Sequence, residues 1–233
     1  MKLKKINFEE LFLKLQNKNY TIIKLDPKFP DYIEGQDLDI LCYDINDISN
    51  VIVSFLSDYV DDNFKIFVLK YKNKTHVDLI NNKKIHFRFD IIDKFPQYKK
   101  IEIKNSYFDV VIENSKFKHI NNIKIKTPDY YDEFMLRYFE YIEYYSSVPD
   151  KIKHVDYINS HLRGDSQEKK FFFDRLYHFS SLPQKYHYKK QNINLKLLNL
   201  IEYFFDLIKK SFLVIKNDGL FVFFKKVFNF LKN

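Results

Sequence analysis

Two aspartates separated by one residue, Asp37 and Asp39, are the side chains whose type and spacing best suit chemistry. They lie in the stretch GQDLDILC, residues 35–42, where apolar residues alternate with them after a glycine. Alternate side chains of a strand share a face, so both carboxylates are predicted on one face and the apolar residues on the other. Adjacent carboxylates repel each other unless a cation lies between them, and oxygen ligands suit Mg²⁺ or Mn²⁺. The pair predicts a divalent metal site of the kind that holds nucleotide phosphates; the alternative is a solvated strand start.

The composition predicts a globular fold with a sizeable core. Of 233 residues, 45% are hydrophobic and 18% are aromatic, which excludes a disordered chain. The net charge of +8 comes with many Lys, Asn, Ile, Phe and Tyr residues and few Gly. Because this bias is typical of an AT-rich genome, the charge is weak evidence for nucleic-acid binding, and nucleic acid is not an expected partner. The lone cysteine, Cys42, excludes a disulfide framework.

The N-terminal residues predict an amphipathic helix and not a signal peptide, because no uninterrupted apolar region occurs there. No uncharged run is long enough to span a bilayer. We therefore expect a cytoplasmic protein. Residues 217–233 combine Phe with Lys, a pattern that suits peripheral contact with the inner face of the membrane as one of three interpretations. The alternatives for this segment are packing on residues 195–215 as a helical hairpin and a dimer contact.

Hydrophobic spacing predicts helices and strands on both sides of the acidic pair. The predicted helices span residues 7–17, 47–57, 127–145, 151–158, 167–178, 195–215 and 220–231. The predicted strands span residues 20–25, 37–42, 64–69, 75–80 and 84–92, with short strand-like pieces at 101–103, 108–112 and 123–125.

The loop between the strands at 75–80 and 84–92 determines which side chains share a face. A three-residue loop at 81–83 keeps the apolar residues of both strands together, whereas a two-residue loop would mix the faces. We therefore predict the three-residue loop, which pairs Asp78 with His86 and His76 with Arg88. The polar face then collects five ionisable side chains: His76, Asp78, His86, Arg88 and Asp90. This set favours a functional site over a solvated sheet face, which more often carries Lys, Thr and Glu.

The order of these parts resembles the polymerase-β-type nucleotidyltransferase superfamily over roughly residues 7–160. A helix, a strand, a Gly-bearing loop, an Asp-x-Asp strand, a helix and a later Asp-bearing strand follow one another in that family. There, three carboxylates hold two metal ions, which bind the nucleoside triphosphate and activate the attacking hydroxyl. The resemblance implies that Asp37 and Asp39 are metal ligands, with Asp90 as the third. Asp78 is the alternative third carboxylate.

The resemblance also implies nucleotide contacts around these acids. Arg88 and the histidines of the polar face would orient the substrate or accept a proton. The helix that begins near Asp150 resembles a lysine- and aspartate-bearing helix of small members of the family. The residues so implicated in binding nucleotide or phosphate are Gly35, Gln36, Lys151 and Lys153.

The implied fold class is α+β: a nucleotidyltransferase-like mixed sheet with flanking helices, followed by an α-helical C-terminal region. The implied domains are a palm domain at 1–126 and a helical domain at 127–233, which ends in an amphipathic cationic helix. The implied activity is metal-dependent transfer of a nucleotidyl group from a nucleoside triphosphate to a small-molecule, sugar or sugar-phosphate acceptor, with Mg²⁺ or Mn²⁺ as cofactor. The layout also resembles small members of the family encoded with bacterial surface-polysaccharide genes.

Two alternatives stay open. An Asp-x-Asp glycosyltransferase also binds a metal and a sugar nucleotide, but it predicts a doubly wound, largely parallel sheet before the acidic pair. Only one strand is predicted there. A degenerate transferase fold used for binding is favoured by the turn, where Glu34-Gly35-Gln36 replaces the usual Gly-Ser of the family.

Overall fold

The computed structural model describes residues 5–26, 28–59, 63–145, 147–162 and 166–182. Within these residues the elements are α1 (Phe8–Leu15), β1 (Tyr20–Ile22), β2 (Gln36–Cys42), α2 (Ile45–Tyr59), β3 (Phe64–Tyr71), β4 (Lys74–Asn81), β5 (Lys84–Ile92), α3 (Ser106–Glu113), β6 (Lys116–Ile120), β7 (Ile123–Thr127), α4 (Tyr130–Tyr144), a 3₁₀ turn (Pro149–Lys151), α5 (Ile152–His161) and α6 (Ser166–Phe179). The predicted α+β class, with a mixed sheet and helices after it, is confirmed.

Five strands form a mixed sheet in the order β1-β2-β5-β4-β3. Only β2 and β5 run parallel; the other neighbouring pairs are antiparallel. The parallel pairing places Asp37 opposite Arg88 and Asp39 opposite Asp90. The acidic strand therefore lies directly beside the strand that carries the predicted third carboxylate.

Helices α1 and α2 contribute to the core on one face of this sheet. Asn7 caps α1, where its Oδ1 atom accepts a hydrogen bond from the Glu10 N–H at 3.3 Å. The buried residues of α1 are the predicted ones, Phe8, Leu11, Phe12 and Leu15. The strands and α2 add Leu38, Ile40, Val77, Leu79, Phe87, Phe89, Ile91, Ile48, Ile52, Phe55 and Leu56. Since alternate strand residues point to opposite faces, the intervening polar residues of β2, β4 and β5 lie on the other face.

The turn between β4 and β5 contradicts the predicted three-residue loop at 81–83. Asn81 pairs with Lys84, so the loop has two residues, Asn82 and Lys83. Their φ values of 49° and 64° are in the left-handed region, which is typical of a type I′ hairpin turn. This turn matches the right-handed twist of the strands, which favours it over a longer loop.

A β-bulge prevents the two-residue turn from mixing the faces. Ile80 pairs with Ile85, but the next pair along the strands is Leu79 with Phe87. His86 is therefore an extra residue on β5, and the alternation restarts after it. Because of the bulge, His76, Asp78, Arg88 and Asp90 share the predicted polar face, whereas the predicted register and the predicted place of His86 on that face are wrong.

Two further differences lie after the sheet. Residues 108–112, predicted as a strand-like piece, belong to helix α3, whose buried residues Tyr107, Val111 and Ile112 also fit helical spacing. Strand β6 was not predicted, and it pairs with β7 in a separate two-stranded sheet. The predicted helices at 195–215 and 220–231, and the segment 217–233 with its membrane contact, lie outside the described residues.

The chain divides into two compact units. Among the described residues, the first comprises those up to 98 together with 102–137 and 178–180, and the second comprises 99–101, 138–177 and 181–182. The five-stranded sheet belongs to the first unit. No helix in the described part of the chain combines the length and the apolar character needed to cross a membrane.

Candidate metal centre

Three carboxylates meet on the polar face of β2 and β5. Asp37 and Asp39 alternate along β2, and Asp90 is the direct neighbour of Asp39 on β5. One oxygen from each side chain lies within 4.8 Å of the others. Asp37 is exposed, Asp39 is half-buried and Asp90 is buried, with 8% of its surface exposed. The cluster therefore opens to solvent at Asp37 and closes at Asp90.

The alternation of β2 accounts for this placement. Leu38, Ile40 and Cys42 are buried in the core, as predicted, so Asp37 and Asp39 must lie on the opposite face. Burial raises the pKa of the Cys42 thiol to about 12. The thiol is therefore neutral at physiological pH and serves as a small apolar core residue, which agrees with its predicted position on the apolar face.

Lysines accompany two of the three carboxylates. Lys74 Nζ lies 2.6 Å from Asp90 Oδ2, and Lys24 Nζ lies 3.6 Å from Asp39 Oδ2. Asp37 makes no hydrogen bond or ion pair with another described residue. Neither lysine was predicted at the site from the sequence. Alternation along β4 could have identified Lys74, because it precedes His76 and Asp78 by two and four residues on the same face.

His76 borders the cluster from β4, opposite Asp90. Its Nε2 atom lies 3.0 Å from Asp90 Oδ1. Burial lowers the pKa of His76, against the attraction of the Asp90 carboxylate, which raises it. The imidazole is therefore neutral near pH 7 and able to accept a proton. The predicted partner of His76 was Arg88; the two-residue turn and the bulge at His86 each shift the pairing by one residue, so the partner is Asp90 instead.

Asp78 forms a bidentate ion pair with Arg88 instead of joining the carboxylate cluster. Arg88 Nε donates to Asp78 Oδ1 at 2.6 Å, and Arg88 Nη2 donates to Asp78 Oδ2 at 2.7 Å. The hydrogen bonds to Asp78 raise the pKa of Arg88, so the guanidinium stays charged. Asp90, and not Asp78, therefore lies beside Asp37 and Asp39, while Arg88 lies opposite Asp37 on the same face.

The structure does not bring His86 to the carboxylates. As the bulge residue it lies against Tyr32 and Phe64, which pack on the core. The Tyr32 hydroxyl lies 3.1 Å from His86 Nε2. Burial lowers the pKa of His86, with Glu34 acting weakly in the opposite direction. Its surroundings indicate a structural position on the core side of the sheet.

A lowered pKa in the folded state makes the stability of this region depend on pH. Folding favours the neutral form of His86. The stabilisation that neutral His86 gives the folded state is therefore present above the unfolded pKa of about 6.5 and is lost as the pH falls below that value. We expect the melting temperature to fall between pH 7 and pH 5, and His86→Gln to reduce this fall. His119→Gln, at an exposed histidine on β6, should show the same change of melting temperature with pH as the wild type. If thermal denaturation gives the same change for all three proteins, the expectation is contradicted.

Gly35 and Gln36 form the turn that begins β2. Gly35 has φ of +85°, and its N–H donates to the His86 carbonyl at 3.1 Å. Gln36 Oε1 accepts a hydrogen bond from the Ile33 N–H at 3.1 Å. The Gln36 side chain is thus used to stabilise the turn. The nucleotide contacts of both residues remain predictions.

Gly35→Ala should destabilise the fold by about 1–2 kcal/mol, because L residues resist left-handed backbone. A Cβ atom at this position would meet only the Ile85 carbonyl oxygen, at 4.0 Å, so the cost is conformational and not steric. Gly35→Asn should cost less, since Asn tolerates this region better. Urea denaturation should give the order of stability wild type, then Gly35→Asn, then Gly35→Ala. A Gly35→Ala variant as stable as the wild type would contradict this prediction.

Lys151 and Lys153, predicted to contact phosphate, belong to the second unit. Lys151 Nζ lies 2.8 Å from Glu140 Oε2, and the exposed Lys153 lies 3.8 Å from Asp150 Oδ2. Their phosphate contacts remain predictions.

The donor set of the cluster fits a hard divalent cation. All three side chains offer carboxylate oxygen, which Mg²⁺ and Mn²⁺ prefer. Asp90 Oδ1 is also buried, and its contact with His76 lacks the alignment of a hydrogen bond. A buried acceptor without a hydrogen bond favours a cationic partner. Within the described residues, Asp37, Asp39 and Asp90 are the group of acids, histidines and cysteines placed to share one ion.

Comparison with known proteins adds two distant structural likenesses. No family model and no curated protein matches the chain. The chain is similar to JHP933 from Helicobacter pylori, at 11% identity and a TM-score of 0.31, over 56% of this chain and 54% of that one. It is similar at the same identity and TM-score to a candidate nucleotidyltransferase from H. pylori, over 59% of each chain. The match thus spans little more than half of either protein, and a likeness of this degree carries no argument about activity.

Proposed function

We propose that the chain is a metal-dependent nucleotidyltransferase, which moves a nucleotidyl group from a nucleoside triphosphate to a small-molecule or sugar-type acceptor. The observation that supports this proposal best is the meeting of Asp37, Asp39 and Asp90 on neighbouring parallel strands, with oxygens within 4.8 Å of one another. When bound there, Mg²⁺ or Mn²⁺ would neutralise phosphate charge and lower the pKa of the attacking hydroxyl.

The chain's own residues would hold and orient the reactants. Asp37 is exposed and makes no ion pair within the described part of the chain, so its carboxylate is accessible from solvent. Arg88 presents a charged guanidinium on the same face, and Asp78 uses only its Nε and Nη2 atoms. The remaining N–H groups are suited to bind a phosphate oxygen. His76, neutral and beside Asp90, is the candidate acceptor for the proton of the attacking hydroxyl.

The glycosyltransferase alternative receives no support from the sheet. It requires a largely parallel, doubly wound sheet, whereas one of the four strand pairs in the five-stranded sheet is parallel. The inactive binding fold is the second candidate. It is favoured by the turn before the acidic pair, where Glu34-Gly35-Gln36 stands in place of the family's Gly-Ser and the Gln36 side chain bonds the backbone of its own turn. An acceptor in surface-polysaccharide synthesis is a further part of the proposal, supported by the resemblance of the layout alone.

Release of pyrophosphate tests the activity. The full chain would be incubated with each nucleoside triphosphate, Mg²⁺, and a panel of sugar phosphates, sugars and alcohols. We expect metal-dependent release that Asp90→Asn abolishes and that Asp58→Asn, at an exposed position of α2, leaves unchanged. Metal-dependent nucleotide binding without turnover would favour the inactive binding fold. Absence of binding by every nucleotide would refute both proposals.

A further inference from the structure

Two of the three carboxylates in the proposed metal centre already have an ammonium partner. Lys74 Nζ lies 2.6 Å from Asp90 Oδ2, and Lys24 Nζ makes a looser contact of 3.6 Å with Asp39 Oδ2. The neighbouring pair of Asp78 and Arg88 is neutral as a unit. Among the described residues of this face, Asp37 is the carboxylate without an ion pair, so the cluster attracts a free divalent ion less strongly than three unpaired acids would.

Lys74 is able to leave Asp90 without unfolding the sheet. Its backbone belongs to β4, and its side chain is 38% exposed, whereas that of Asp90 is 12% exposed. The ammonium is at the end of a flexible four-carbon stem, so it can move into solvent or towards another anion while both strands stay paired. Asp90, in contrast, is fixed on the inner strand β5 between β2 and β4.

We propose that Lys74 is the resident counter-ion of Asp90, that it competes with a divalent ion for this carboxylate, and that it turns to the phosphate chain when ion and nucleotide bind together. The inference rests on the proposed function, because it gives Lys74 a role at the same site. A free ion must displace the ammonium into water with no new partner for it. A metal–polyphosphate complex supplies phosphate oxygens, which pair well with an ammonium. The site is thus selective for the complex over the free ion.

Two titrations of the full chain test this selectivity, one with Mn²⁺ alone and one with the complex of Mn²⁺ and tripolyphosphate, the chain common to all nucleoside triphosphates. Lys74→Met should bind Mn²⁺ alone about ten-fold more tightly, since unit charges about 4 Å apart interact strongly at a partly buried site. The same variant should bind the tripolyphosphate complex more weakly than the wild type. Lys74→Arg, which keeps the positive charge, should stay close to the wild type in both titrations.

Lys70→Met is the matched control. Lys70 is on the adjacent strand β3, but its Nζ atom lies 3.4 Å from Asn46 Oδ1 on α2, the helix that packs on the opposite face. Lys70→Met should leave the affinities for Mn²⁺ alone and for the tripolyphosphate complex unchanged. Circular dichroism would verify that every variant is folded.

The outcomes separate failure of this inference from failure of the proposed function. If the wild type binds Mn²⁺ and Asp90→Asn prevents it, but Lys74→Met changes neither affinity or shifts both in the same direction, the role of Lys74 is refuted and the metal site stands. If neither the wild type nor any variant binds Mn²⁺ in either titration, the metal site of the proposed function is refuted and the inference fails with it.

Discussion

Asp39→Asn is expected to abolish the magnesium-dependent stabilisation of the protein by a nucleoside triphosphate. A ligand present at 100 times its dissociation constant stabilises a protein by about 2.7 kcal/mol. For a domain of this size that corresponds to a rise in melting temperature of roughly 5–10 °C. Asp39 lies between Asp37 along its own strand and Asp90 across the parallel pair, so its neutral isostere removes the central charge of the cluster.

The same substitution should lower nucleotidyl transfer by at least about 100-fold, because even residues that only support a metal ligand cost 10–100-fold when changed. Asp58→Asn is the control, since Asp58 is an exposed residue of α2. Thermal denaturation would be compared with and without Mg²⁺ and nucleotide. A variant that keeps the full magnesium-dependent shift would show that Asp39 is not a ligand.

Arg88→Met is expected to cause the largest loss of stability among the polar residues of the sheet. It leaves the Asp78 carboxylate, whose side chain is 4% exposed, without its bidentate partner. Removing one member of a buried pair costs about 3–5 kcal/mol, and we expect about 3 kcal/mol because Arg88 is 27% exposed. The melting temperature should fall by roughly 6–12 °C.

A double variant isolates the origin of this loss. Arg88→Met combined with Asp78→Leu removes both charges, and replacing a whole buried pair by apolar residues is often neutral. The double variant should therefore recover at least half of the stability lost by Arg88→Met in urea denaturation. If it is less stable than the single variant, packing of the arginine stem and not the unpaired carboxylate explains the loss.

Local patterns predicted the parts of the site that lie on one strand. The alternation from Leu38 to Cys42 was sufficient to place Asp37 and Asp39 on one face, because one side of β2 is fully buried. The capped helix α1 was predicted with its buried face for the same reason, since its apolar spacing and cap are both local. The parallel pairing of β2 with β5 has no local signal, and only the resemblance implied a neighbouring strand with a third acid.

The cross-strand contacts of β4 and β5 could not be predicted in the same way. The prediction assumed a perfect ladder, in which a two-residue turn would mix the faces. A bulge at His86 lets a two-residue turn coexist with separate apolar and polar faces, and the residue pattern does not predict this bulge. The two-residue turn and the bulge together move the partner of His76 from Arg88 to Asp90 and that of Asp78 from His86 to Arg88. The bulge also turns His86 towards Tyr32 and the core. Lys74 lies one residue before the strand predicted at 75–80. Lys24 lies within the strand predicted at 20–25, but its contact with Asp39 depends on the pairing of that strand with β2, which has no local signal.

Anomalous scattering from crystals soaked with Mn²⁺ and a non-hydrolysable nucleoside triphosphate tests the central claim most directly. The account predicts a manganese peak about 2.0–2.6 Å from oxygens of Asp37, Asp39 and Asp90, with Lys74 moved away from Asp90. A peak coordinated by Asp78, or manganese bound elsewhere with the Lys74–Asp90 ion pair intact, would contradict it.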